Sequence, residues 1–198
     1  MEIDRAIREG VKRSLPEAEW IKDEALREKV YDAWALSLSH SEFRSIEEIP
    51  ASGNPDSPPL RAGTQTDHIR GVTRIAVRMA EELEGLLGPL GIDRDLLIAG
   101  GLCHDVGKPF EFSHRNQQRW TGDPRPSGKP ALRHTLYGVH VCLTVGLPEE
   151  IAHVAGCHSL EGQFVEKSLT AELVHRADYG FWSILSAAGA LTEKRKLH

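Results

Sequence analysis

Helical periodicity, with no strand pattern competing against it, limits what this chain can fold into more than any other feature. The row His68, Val72, Ile75, Met79 and Leu83 steps at +4, +7, +11 and +15, a single stripe along one helix. The same spacing returns in Ile3, Ala6, Ile7 and Val11, then after Pro16 in Trp20, Ile21, Ala25, Leu26, Val30, Ala33 and Trp34. Later it recurs in His134, Gly138, Val141 and Val145, in Ile151, Val154, Ala155 and His158, and in Ala171, Val174, Asp178, Phe181 and Leu185. Helix starts are expected at Thr66 or Asp67, at Asp93 or Asp95, at Pro148, and at Ser168 or Thr170. No stretch alternates apolar and polar residues with a period of two, so the chain is predicted to be all-α.

Two stretches break the pattern. Residues 45–66 contain Pro50, Gly53, Asn54, Pro55, Pro58 and Pro59, which predict a surface linker or a flap over a site mouth. Residues 109–133 mix Gly and Pro with Phe110, Phe112, Arg115, Arg119, Trp120, Arg125, Lys129 and Arg133, and are predicted to be an irregular loop. Such cations and aromatics suit an anionic ligand that carries a ring. This divides the chain into a helical arm with a Pro-rich linker, residues 1–60, and a main body, residues 61–198. Gly100 and Gly101 lie inside a helical pattern at a cost of about 1 kcal/mol each against Ala, and predict close approach of another helix.

Composition narrows the function. A net charge of −5 over 198 residues speaks against a general nucleic-acid binder. No apolar run approaches a membrane span, and the Met1 region lacks the layout of a signal peptide. Cys103, Cys142 and Cys157 are odd in number and show no C-x-x-C spacing, which predicts reduced thiols in a cytoplasmic protein. Ten His is the unusual figure. Three of them, His68, His134 and His158, sit on apolar stripes, and Asp178 stands mid-stripe where a carboxylate needs a cation or hydrogen bonds. His104 and Asp105 stand side by side where an apolar helix ends before Gly107 and Pro109. Six inward imidazoles and carboxylates would be expensive to bury alone, and a metal removes the difficulty. Imidazole with carboxylate is the ligand set of Fe, Mn, Co, Ni or Zn, and the lack of Cys in the set argues against structural zinc.

The order His68 … His104-Asp105 … Asp178 resembles the HD-domain metal-dependent phosphohydrolase superfamily. His104-Asp105-Val106-Gly107-Lys108 is close to that family's H-D-I-G-K form. His134-Thr135-Leu136-Tyr137-Gly138 resembles the H-x-x-x-G element, and Gly156-Cys157-His158 the later His, of members that bind two metals. Val174-His175-Arg176-Ala177-Asp178-Tyr179 resembles the closing A-D helix. The resemblance covers residues 65–187 and implies an HD-type helical bundle with an N-terminal helical extension.

It further implies that His68, His104, Asp105 and Asp178 hold one divalent metal, with His134 and His158 holding a second and Asp105 bridging. Fe or Mn is the expected metal, with Co, Ni, Zn and Mg as the other candidates. The activity implied is hydrolysis of a phosphate mono- or diester in a small molecule, nucleotide-like or cyclic, by a metal-activated hydroxide. Asp105 and Lys108 are then catalytic, and Lys108, Arg115, Arg119, Arg125 and Arg133 are candidate contacts to the substrate phosphate. His175, three residues before Asp178, is a candidate support beside the ligands, and His114 a candidate proton donor. Some family members with this ligand set are instead di-iron oxygenases that cleave a C–C or C–P bond. The expected partner is a small phosphorylated substrate, not a membrane or nucleic acid, and a homodimer is one assembly open to the chain.

Overall fold

The computed structural model describes residues 3–192, whose regular secondary structure is helical; the one β contact among them is an isolated antiparallel bridge between Leu60 and Leu191. Ten α-helices occur among the described residues. The first two, α1 (Arg5–Ser14) and α2 (Glu24–Ser39), are separated by a 3-10 turn at Pro16–Trp20. Then come α3 (Gln65–Leu87), α4 (Arg94–Cys103), the short α5 (Lys108–Phe112), α6 (His114–Gly122) and α7 (Pro124–Ser127), α8 (His134–Thr144), α9 (Glu149–Cys157) and α10 (Leu169–Ala187). None is long and apolar enough to cross a membrane. All three cysteines are free thiols, with Cys103 and Cys142 buried.

The core is built around α4, whose residues Leu97 to Cys103 are all buried. α3, α9, α10 and α2 pack on it. The glycine pair does mark close approach: a Cβ on Gly101 would lie 2.8 Å from Thr73 Oγ1 on α3, and one on Gly100 3.1 Å from Val154 Cγ2 on α9. The N-terminal helices share the same apolar cluster, and Trp34 Nε1 donates to the Leu102 carbonyl at 2.8 Å, which fixes α2 against the last turn of α4.

Several local expectations need correction. The N-cap of α3 is Thr64, not Thr66 or Asp67; Thr64 and Asp67 cap each other reciprocally, which satisfies donors at both positions. The buried face of α3 is also turned from the predicted stripe: Ile69, Thr73, Ala76 and Val77 are inside, while Ile75 and Leu83 are exposed. Trp20 ends the 3-10 turn half out in solvent rather than continuing a helix. Residues 109–133 are not a loop but carry three short helices, two of them with Pro in the first turn. They are too short for a periodic signal, and buried Trp120 anchors α6 near Phe110, which stacks on Tyr137 with ring centroids 4.0 Å apart. The 45–66 stretch is no free linker either: Ile46, Ile49, Ala51 and Ser52 are buried.

Candidate metal centre

Helix ends deliver most of the polar residues. His104 is the C-cap of α4 and His158 the C-cap of α9, His134 is the first residue of α8, and His68 lies one turn into α3. Asp178 comes from the middle of α10. His68, His104, Asp105, His134 and His158 are all at most 2% exposed.

The six side chains converge. One ligand atom each from His68, His104 and Asp178 lies within 4.8 Å of the other two, and the same holds for His104, Asp105 and His158. Asp105 stands between two groups. Its Oδ2 is 3.0 Å from His68 Nε2 and 3.3 Å from His104 Nε2, while Oδ1 is 3.4 Å from His134 Nε2 and 3.6 Å from His158 Nε2.

Hydrogen bonds at the far nitrogens decide the tautomers. His104 Nδ1 faces the Gly101 carbonyl at 2.6 Å, His158 Nδ1 the Ala155 carbonyl at 3.0 Å, and His134 Nδ1 the Glu111 carboxylate at 2.5 Å. Each partner can only accept, so each Nδ1 carries the hydrogen and each neutral ring leaves Nε2 as a bare lone pair. His68 Nε2 and His104 Nε2 meet at 3.2 Å, and Asp178 Oδ1 is buried without a hydrogen-bond partner among the described residues. Converging lone pairs and an unpaired carboxylate oxygen in a dry interior need a cation, and these donors fit a divalent metal.

Electrostatics favour the neutral ring at His68 and, through burial, at His134, but not at His104. Burial pushes the His68 pKa down to about 4, so its ring is neutral at pH 7. Burial opposes charge on His104 as well, but the Asp105 carboxylate outweighs it and raises the pKa. For Asp105, burial alone would favour the acid; the Lys108 ammonium and His104 reverse this and hold the carboxyl well below its usual range.

Lys108 is almost wholly buried, and its ammonium donates to the Ser52 carbonyl at 2.6 Å, contacts Asp105 Oδ2 at 2.8 Å and reaches Gln65 Oε1 at 3.4 Å. A cavity of about 440 Å³ opens over the centre and is bordered by Lys108, Arg133 and His175. Its aromatic wall is Tyr179 and Trp182 of α10, and its rim includes Gly53, Asn54, Ser57 and Pro58, so the 45–66 stretch does border the mouth. Arg115, Arg119 and Arg125 are exposed and do not line this cavity. His114 is exposed as well and pairs with Glu42. His175 donates from Nδ1 to the His158 carbonyl at 2.6 Å.

Two residues of the centre carry no periodic signal in the sequence. Gln65 is fully buried and donates from Nε2 to Asp105 Oδ2 at 2.8 Å. Glu111 is fully buried beneath His134, and its pKa stays low because His134 and Arg133 outweigh the effect of burial. A charged residue between Phe110 and Phe112, directly after the His104-to-Lys108 segment, was the available hint.

The HD domain family matches residues 66–179, a span that runs from the first turn of α3, just before His68, to one residue beyond Asp178. This chain belongs to the HD domain family. A dihydroneopterin 2',3'-cyclic phosphate phosphodiesterase of Methanocaldococcus jannaschii is 31% identical to it over 174 residues, covering 85% of this chain and 67% of the relative. No solved structure gives a significant match. As an HD domain with a phosphodiesterase relative, the chain is a metal-dependent phosphohydrolase.

Proposed function

We propose that this HD domain holds two divalent metal ions and opens a cyclic phosphodiester on a small, ring-bearing molecule to give a monoester. The observation that carries the reading is the split of Asp105, one oxygen toward His68 and His104 and the other toward His134 and His158. His68, His104, Asp105 and Asp178 would hold the first ion, and His134 and His158, with Asp105 between, the second. Such ions supply an activated water and a clamp on the phosphoryl oxygens when bound, and Fe or Mn suits the donor set best.

The chain's own groups do the rest. Lys108 has its donors committed to Ser52, Gln65 and Asp105, so its part is to keep Asp105 ionised and aimed. Arg133 borders the cavity with Nε and Nη1 engaged and Nη2 without a hydrogen-bond partner among the described residues, which suits it to a phosphoryl oxygen. Tyr179, 66% exposed on the cavity wall, offers a face for a flat ring. The relative's substrate, a cyclic phosphate on a pterin, has both parts.

The test is elemental analysis of protein purified without oxygen, followed by assay on 2',3'-cyclic phosphodiesters with pterin and nucleoside rings. Two ions per chain, and release of a monoester at the same rate with and without dioxygen, are expected. Turnover that consumes dioxygen and breaks a C–C or C–P bond would replace the hydrolase with the oxygenase reading.

A further inference from the structure

Glu111 is divided between two neighbours that are adjacent in sequence. Its Oε2 accepts from His134 Nδ1 at 2.5 Å and from the His134 backbone N–H at 2.9 Å. Its Oε1 accepts from Arg133 Nη1, also at 2.5 Å. Arg133 is the N-cap of α8 but provides no side-chain cap, so Glu111 of α5 satisfies an end-of-helix donor from another helix. Arg133 is held a second time, by Glu161 Oε1 at Nε, 2.8 Å away.

We propose that Glu111 is the positioning residue for the second half of the centre. One carboxylate holds His134 as the tautomer with Nε2 open to an ion and holds the Arg133 guanidinium at the cavity wall where the phosphoryl group arrives. This rests on the reading of His134 as a ligand and of Arg133 as a substrate contact. Only a carboxylate fills the role, because it accepts at both ends. An amide presents one acceptor and one donor; turned either way, it sets N–H against N–H at His134 or at Arg133. A donor facing Nδ1 favours the other tautomer, in which Nε2 carries the hydrogen and cannot ligate. Partners of this kind behind ligating imidazoles typically account for 10–100-fold in metal affinity.

The test compares the wild type, Glu111→Gln, Glu111→Asp, Arg133→Gln and His134→Ala as full chains. Mn(II) titration gives the affinity of each site, cyclic-phosphodiester kinetics give kcat and KM, and thermal melts follow folding. Glu111→Gln should weaken the second Mn(II) roughly 10–100-fold, leave the first unchanged and raise KM. Glu111→Asp, which keeps two acceptors on a shorter arm, should recover part of both effects and serves as the probe if the Gln variant does not fold. Arg133→Gln should raise KM while keeping the second ion. A folded Glu111→Gln protein with wild-type Mn(II) binding and KM, or with nothing but a lower melting temperature, overturns the proposal while the two-metal reading stands. A wild type that binds one Mn(II), unchanged by His134→Ala, removes both together.

Discussion

Asp105→Asn is expected to lower kcat/KM by roughly 10⁴-fold, about 5.5 kcal/mol of transition-state stabilisation. An Asn presents one oxygen and one NH₂ group where the carboxylate now faces His68 and His104 on one side and His134 and His158 on the other. Whichever way the amide turns, it aims a donor at one imidazole pair and no longer supplies charge to both. The substitution also strips Lys108 of its counter-charge; with the ammonium nearly wholly buried, that leaves an uncompensated cation at a cost of roughly 3–5 kcal/mol. Metal content should therefore fall together with activity, and urea denaturation in the presence of chelator should show the stability loss separately. A variant that kept wild-type turnover would remove Asp105 from the centre of the reaction.

Gly107→Ala is expected to destabilise the fold by about 3 kcal/mol or more, at the upper end for an overpacked site. A Cβ there would lie 2.0 Å from the His134 carbonyl oxygen and 2.7 Å from the Gly138 nitrogen, both backbone atoms of α8 that no rotamer can move aside. The backbone at Gly107 has φ −84° and ψ −7°, which any residue adopts, so the whole effect comes from the contact and none from conformational strain. α8 would have to shift and take His134 with it, so metal binding should weaken as well. Gly85→Ala makes the contrast: it lies inside α3 with nothing within 4 Å of the added Cβ, and should stabilise by roughly 0.5–1 kcal/mol. Denaturation midpoints of the two variants, moving in opposite directions, separate packing from helix propensity.

That Gly107 case marks where sequence reading reaches its limit. A glycine after a helix end reads as a stop signal, whereas its actual role is to let α8 pass, a fact of tertiary structure with no local trace. The helices themselves were legible because an apolar stripe at 3.6-residue spacing survives any packing partner, and Asp178 and His158 stood out because they interrupt such stripes. The neighbouring face of α3 is harder to read, since Thr73 and Ala76 are small or ambiguous and the larger Ile75 draws the stripe one residue around. Thr64 and Asp67 form a readable capping pattern, yet Thr66 and Asp67 lie nearer the first apolar residue of the stripe. The cations of 109–133 look alike in sequence; only Arg133 borders the cavity, because it alone adjoins His134 at the start of α8. Gln65 and Glu111 could not be read at all from periodicity, as their roles depend on atoms 40 and 23 residues away.

The wall of the cavity also carries a built-in optical probe. The Trp182 ring lies 4.8 Å from the His68 ring and borders the cavity, whereas Trp34 and Trp120 are buried and do not line it. Ions with unpaired electrons, such as Mn(II), Fe(II) or Co(II), extinguish the emission of an indole held this close, while Zn(II) and Mg(II) do not. Titrating the chelated protein and watching intrinsic fluorescence should thus separate open-shell from closed-shell ions without any substrate, and Trp182→Phe should remove the larger part of the response.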